Sequence, residues 1–111
     1  MPIMQGTVSI AANDVSANVL AGELFEFLSR PSRIAVYVVA AVVGVTCTFL
    51  LGGVSFSNDQ DVPNKAGFPI IPDDFFVDAG GFPGERLVLT FRNSTGVAIV
   101  ATFKVEVRAV A

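Results

Sequence analysis

A chain of 111 residues, 52% apolar and 15% charged, has material for one domain and none for a separate substrate domain. With no His and one Cys it lacks the commonest near-neutral acid/base, and it cannot form an intrachain disulfide or a thiolate zinc cluster. Seven Lys and Arg against ten Asp and Glu give a net charge of −3, and the basic residues are scattered, so direct nucleic-acid binding is not expected.

In chain order, Thr7–Ile10 reads as a strand with Val8 and Ile10 on one face and Thr7 and Ser9 on the other. Asn13-Asp14 marks a turn, and a short strand over 15–21 ends at Gly22. Residues 23–28 fit either a strand or a single helical turn, closed by Pro31. Ile34, Val36 and Val38 then alternate with Ala35, Tyr37 and Val39, all apolar. Such a strand is covered on both faces, by its own chain or by another subunit. Residues 40–44 form an apolar connection, Val45–Leu51 returns with Val45, Cys47 and Phe49 inward, and Gly52-Gly53 reverses the chain into 54–56. The whole stretch 34–56 carries no charge and is long enough to cross a bilayer as a helix. Its alternation and clustered glycines favour three short β elements instead.

Residues 57–84 mix Asp, Asn, Pro and Gly with large apolar side chains and read as an ordered loop excursion, with a short strand near 75–77. Phe68, Ile70, Phe75, Phe76 and Phe82 are its expected anchors, on a sandwich face or on a neighbouring subunit. Beyond it, Leu87, Leu89 and Phe91 alternate with polar or smaller residues, as do Val97, Ile99, Ala101, Phe103, Val105 and Val107. A three-residue loop at 94–96 predicts a hairpin pairing Phe91 with Ile99, Leu89 with Ala101 and Leu87 with Phe103. The expected sheet core is Val36, Val45, Cys47, Phe49, Leu87, Leu89, Phe91, Ile99, Phe103 and Val105. Six to eight short strands of this kind predict an all-β fold in one domain over 1–111, a small β-sandwich or jelly-roll-like arrangement. Greek-key and small-barrel connectivities remain open. Polar Thr7 and Ser9, and Lys104, Glu106 and Arg108, are expected to guard exposed sheet edges.

Chemistry has few places to reside. Asp59, Asp61, Asp73, Asp74 and Asp78 offer oxygen ligands of the kind calcium takes, but without the spacing of a helix-loop-helix site. They read as solvated charges, turn caps or intersubunit ion pairs. Asp73 and Asp74 with Glu85 are a poor glycosidase set, because adjacent residues of a strand point to opposite faces. Cys47 has no His to activate it and reads as a small buried hydrophobe. Gly80–Gly84 lacks the Lys-Ser/Thr ending of a phosphate loop and reads as a chain reversal. Asn93-Ser94-Thr95 matches a glycosylation acceptor and reads as a hairpin turn bearing no sugar. No catalytic residue, metal, cofactor or small-molecule substrate is expected.

The succession Arg33–Tyr37, Gly44–Phe49, Gly52-Gly53, followed by Gly84–Leu89, Asn93–Gly96 and a long alternating strand, resembles small β-sandwich structural proteins of bacterial viruses. The resemblance implies a non-enzymatic capsid, decoration or connector subunit, bound to copies of itself and to other virion proteins. It implies a location in the virion and, during assembly, in the host cytoplasm. The alternatives are a carbohydrate- or cell-surface-binding β-sandwich, and a small membrane protein spanning with residues 34–56.

Overall fold

The computed structural model describes residues 3–23, 26–65, 67–69 and 75–109, with Phe75 described for its backbone alone. Eight strands follow one another: β1 (Ile3–Ile10), β2 (Asp14–Val15), β3 (Ser32–Ala40), β4 (Val45–Leu51), β5 (Val54–Asp61), β6 (Phe75–Gly81), β7 (Leu87–Asn93) and β8 (Ile99–Ala109). They form two four-stranded antiparallel sheets, ordered β1-β8-β3-β6 and β2-β7-β4-β5. Every connection except β4–β5 passes from one sheet to the other. That strand order is the jelly-roll arrangement, an all-β sandwich in which two Greek keys interlock. The stretch 34–56 is therefore β3, β4 and the start of β5, not a membrane helix. Among the described residues no helix is long and apolar enough to cross a membrane.

Local chemistry accounts for these elements. The β4–β5 hairpin turns through Gly52 (φ 59°) and Gly53 (φ 84°), and two consecutive positive φ values suit the twist of flanking strands. β3 is central, between β8 and β6, and is apolar on both faces. Ile34, Val36, Val38 and Ala40 enter the core between the sheets. Tyr37 and Val39 on the other face are also buried. There the excursion crosses the sheet: Ala40 N–H donates to Pro63 O at 2.9 Å, Lys65 N–H to Ala40 O at 2.9 Å, and Thr102 Oγ1 to Gly67 O at 2.7 Å. The excursion is shorter than its sequence indicated, since β5 runs on to Asp61 and β6 extends from Phe75 to Gly81. β2 is also shorter than the 15–21 strand read from the sequence. After Val15 the chain still follows β7, but Ser16 and Asn18 side chains complete the edge: Phe91 N–H donates to Ser16 Oγ and Leu89 N–H to Asn18 Oδ1, both at 2.9 Å.

The C-terminal hairpin is overturned. β7 pairs with β4 and β2, β8 pairs with β3 and β1, and the two lie in opposite sheets. The turn that parts them is built on Asn93, which is fully buried. Its Nδ2 donates to Ile10 O at 3.0 Å and Val97 O at 2.7 Å, while Oδ1 accepts from Thr95 N–H at 2.9 Å and Thr95 Oγ1 at 2.7 Å. All four hydrogen-bonding positions of the amide are used. The chain thus folds over the end of the sandwich instead of doubling back in one sheet. The alternating residues still face inward, but meet across the interior, with the Phe91 and Phe103 rings 6.5 Å apart. Val97 lies in this arch and is exposed, and β8, with Lys104, Glu106 and Arg108, is an interior strand of its sheet, not an edge. Val36, Val45, Cys47, Phe49, Leu87, Leu89, Phe91, Ile99, Phe103 and Val105 are all buried in one continuous cluster.

Candidate interaction surface

Four inter-sheet connections meet at one end of the sandwich: 11–13 between β1 and β2, 41–44 between β3 and β4, 94–98 between β7 and β8, and 62–65, the start of the β5–β6 excursion. The last bonds to Val45 and Ala40 and brings Lys65 to this end; the first three form the candidate surface. Their backbones are laced together. Asn13 N–H donates to Thr95 O at 3.0 Å, and both Ser94 N–H and Ser94 Oγ donate to Gly44 O at 3.1 Å. Gly44 has φ 116°, and Thr95 Cγ2 lies where its Cβ would be, so only glycine lets the two loops close. Ala41 N–H donates to Val100 O at 3.0 Å, tying the second loop to β8.

The side chains exposed by these three loops are mostly apolar, with Asn13 and Ser94 the polar exceptions. The three loops contain no charged residue, and Ala11, Ala12, Ala41, Val42, Val43, Val97 and Ala98 are exposed, Val43 by 70% and Val97 by 63%. Single exposed apolar residues are ordinary on a protein surface, whereas several on loops tied to one another make this end a candidate contact surface. Because the loops are already ordered, binding there has little conformational entropy left to overcome.

The opposite end has another character. Phe27 bridges to Arg86, whose guanidinium sits 5.9 Å over the Phe27 ring and contacts Glu26 Oε2 at 2.7 Å. The Gly22 N–H, and secondarily Arg86, hold the Glu26 carboxyl below its ordinary value of 4.5. Glu85 Oε1 accepts the Phe82 N–H at 2.6 Å, and Gly84 N–H donates to Leu28 O at 2.7 Å, so the chain reverses over 82–84, braced by a carboxylate. Gly80 and Gly81, read from the sequence as part of the reversal, close β6. Phe82 is 70% exposed here.

Of the five expected anchors, the three whose side chains are described do not share one surface. Phe82 projects from the charged end, whereas Phe68 is exposed beside the crossing of the excursion over β8. Phe76, partly buried, packs against the core of its own chain from β6. Phe75 pairs through its backbone with Tyr37, next to a register break, and its side chain lies outside the described residues, as does Ile70. Val42, Val43 and Val97 were not among the anchors read from the sequence. The one available signal was the apolar run 40–43 placed outside any alternating segment.

The acidic residues are dispersed as well. Asp59, at φ 47°, turns back over β4: its Oδ1 accepts from Thr46 Oγ1 at 3.2 Å, its N–H donates to Thr48 Oγ1 at 3.0 Å, and Arg92 lies 3.6 Å away. Asp78 pairs with Arg33 at 3.2 Å on the other sheet, and Asp73 and Asp74 lie outside the described residues. Among the described residues no three acidic or Cys side chains gather into a metal-sized cluster. Burial pushes the Cys47 thiol up, far from the range in which it forms a thiolate near neutral pH. The Asn93 amide, buried and fully bonded, is closed to glycosylation in the folded chain. No family model matches the chain, and no curated protein or solved structure matches it.

Proposed function

We propose that the chain is a non-enzymatic structural subunit of a virion, of capsid, decoration or connector type, which assembles with copies of itself and with other virion proteins. The observation that carries this reading is the set of three uncharged, hydrogen-bonded loops, 11–13, 41–44 and 94–98, displaying Val42, Val43 and Val97. The jelly roll is compatible with it, since that fold serves viral capsids, but it also serves lectins and cupins and does not choose among them. A net charge of only −3 imposes little repulsion on copies packed side by side.

Co-expression with the proteins encoded beside it, followed by electron microscopy and native mass measurement, tests the role. The expected result is a particle or ring holding the chain at repeated positions, with the Val43 end against a neighbour. A chain that stays at 11.6 kDa with those proteins present would overturn the reading.

A further inference from the structure

The four sheet edges are unequally protected. β5 breaks register with β4 twice and carries Asp59, at positive φ, and Asp61. β6 breaks register opposite Val36/Tyr37, bears Asp78 and ends in Gly80-Gly81. β2 is two residues long. Bulges, charges and short length are the devices that keep an edge from pairing with another chain. β1 has none of them. It runs eight residues from Ile3 to Ile10 in unbroken register with β8 and contains no charge and no proline. Among the described residues, no strand and no loop backbone bonds to its second edge over Ile3–Ser9. Thr7 and Ser9 do not guard it, because side chains stand out from the sheet plane and leave the edge N–H and C=O groups open.

We propose that β1 pairs antiparallel with β1 of a second copy across a twofold axis, joining two four-stranded sheets into one of eight strands. A partner strand must match β1 face for face. On the core side of β1 lie Met4, Gly6, Val8 and Ile10, and on the outer side Ile3, Gln5, Thr7 and Ser9. An antiparallel twofold keeps these faces together only if it passes through a residue position. Centred on Thr7, it sets Met4 opposite Ile10, Gly6 opposite Val8, Gln5 opposite Ser9 and Thr7 opposite itself. Over residues 4–10 every apolar residue then meets an apolar one or glycine and every polar residue a polar one, while Ile3 lies beyond the paired segment. Centred on Gly6, the axis would set Ile3 opposite Ser9 and glycine opposite glycine, which gives poorer cross-strand pairs. The absence of charge on β1 makes the strand self-compatible, since no like charges face each other. The pairing also covers Val8, half-buried at the margin of the core. Such an isologous contact closes at two copies, so it is independent of the loop end and stands whether or not that end binds a virion neighbour.

Single cysteines introduced on β1 test the axis, read by mild oxidation and non-reducing electrophoresis in the full chain. Cα atoms directly opposite in an antiparallel pair lie about 4.5–5.5 Å apart, within disulfide reach. Thr7→Cys should therefore cross-link to twice 11.6 kDa, while Ser9→Cys, four residues from its own symmetry mate, should not. The same pattern is expected with Val43→Asp and Val97→Asp present, which separates this contact from the loop end. Gln5→Lys with Ser9→Lys sets like charges opposite one another and should leave a monomer with unchanged circular dichroism. Mixing it with the Gln5→Glu, Ser9→Glu variant should restore a dimer. Absence of the Thr7→Cys cross-link, equal cross-linking at both positions, cross-linking to a different protein, or an undiminished dimer in the lysine variant would each overturn the proposal.

Discussion

The two ends of the sandwich solve the same problem, closing loops over a common core, by different chemistry. At the Glu26–Arg86 end, exposed Phe27 and Phe82 sit among carboxylates and a guanidinium, which keep their surroundings hydrated. At the Asn93 end, the fastening is by backbone bonds, the Ser94 hydroxyl and one buried amide, without ion pairs, and most of the side chains facing solvent are alanine and valine. The difference separates rigidity from polarity. A loop held by surface charges must remain polar outside, whereas a loop held from within is free to present an apolar face.

Removing the internal fastening is the most damaging way to break this comparison. Asn93→Ala leaves Ile10 O and the Thr95 N–H without their partner, and orphaned buried groups cost about 1–3 kcal/mol each. A loss on the order of 3 kcal/mol is expected in urea unfolding, with loosened exchange protection across 94–98. Gly44→Ala is next: positive φ and the crowding of Thr95 should cost about 1–3 kcal/mol by the same measurement. Val43→Asp should leave unfolding within about 0.5 kcal/mol of the parent, as for other exposed positions, yet weaken association.

The smallest effect belongs to the charged end and depends on pH. The Glu26 carboxyl is held below its ordinary 4.5, so the stability it contributes is present above that value and disappears as pH falls through its lower folded value. The difference in melting temperature between the parent and Glu26→Gln should be largest at neutral pH and shrink as pH falls below 4.5. A difference that persisted in acid would show that the packing of Glu26, and not its ionised contacts with Gly22 and Arg86, is what matters.

Much of this architecture is legible as alternation. Val45–Leu51, Leu87–Phe91 and Ile99–Val107 declare their inward faces, the two-sided β3 declares its burial, and Gly52-Gly53 declares the hairpin. Period two states which residues point inward, but not whether they meet a neighbour in the same sheet or one across the core. That ambiguity produced the mistaken pairing of Phe91 with Ile99, since the amide that sends the chain across looks in sequence like any turn asparagine. The exposed valines of the loop end were harder to read for a related reason. A valine at 36 and one at 43 are the same symbol, and only the loop's place at the end of the sandwich leaves the second in water. Phe76 follows the other arm of the anchor reading: the short strand expected near 75–77 is β6, and it packs this side chain against the core of its own chain.

The central claim, that the rigid apolar loop end drives association, is tested most directly by sedimentation velocity of the parent chain and the Val43→Asp, Val97→Asp variant over a range of concentrations. The parent should sediment as species larger than 11.6 kDa that grow with concentration, and the variant should lose that growth while keeping its thermal unfolding midpoint. Any residual species should be no larger than the dimer joined through β1. Equal concentration-dependent growth in both proteins, or a parent that stays at 11.6 kDa throughout, would contradict the account.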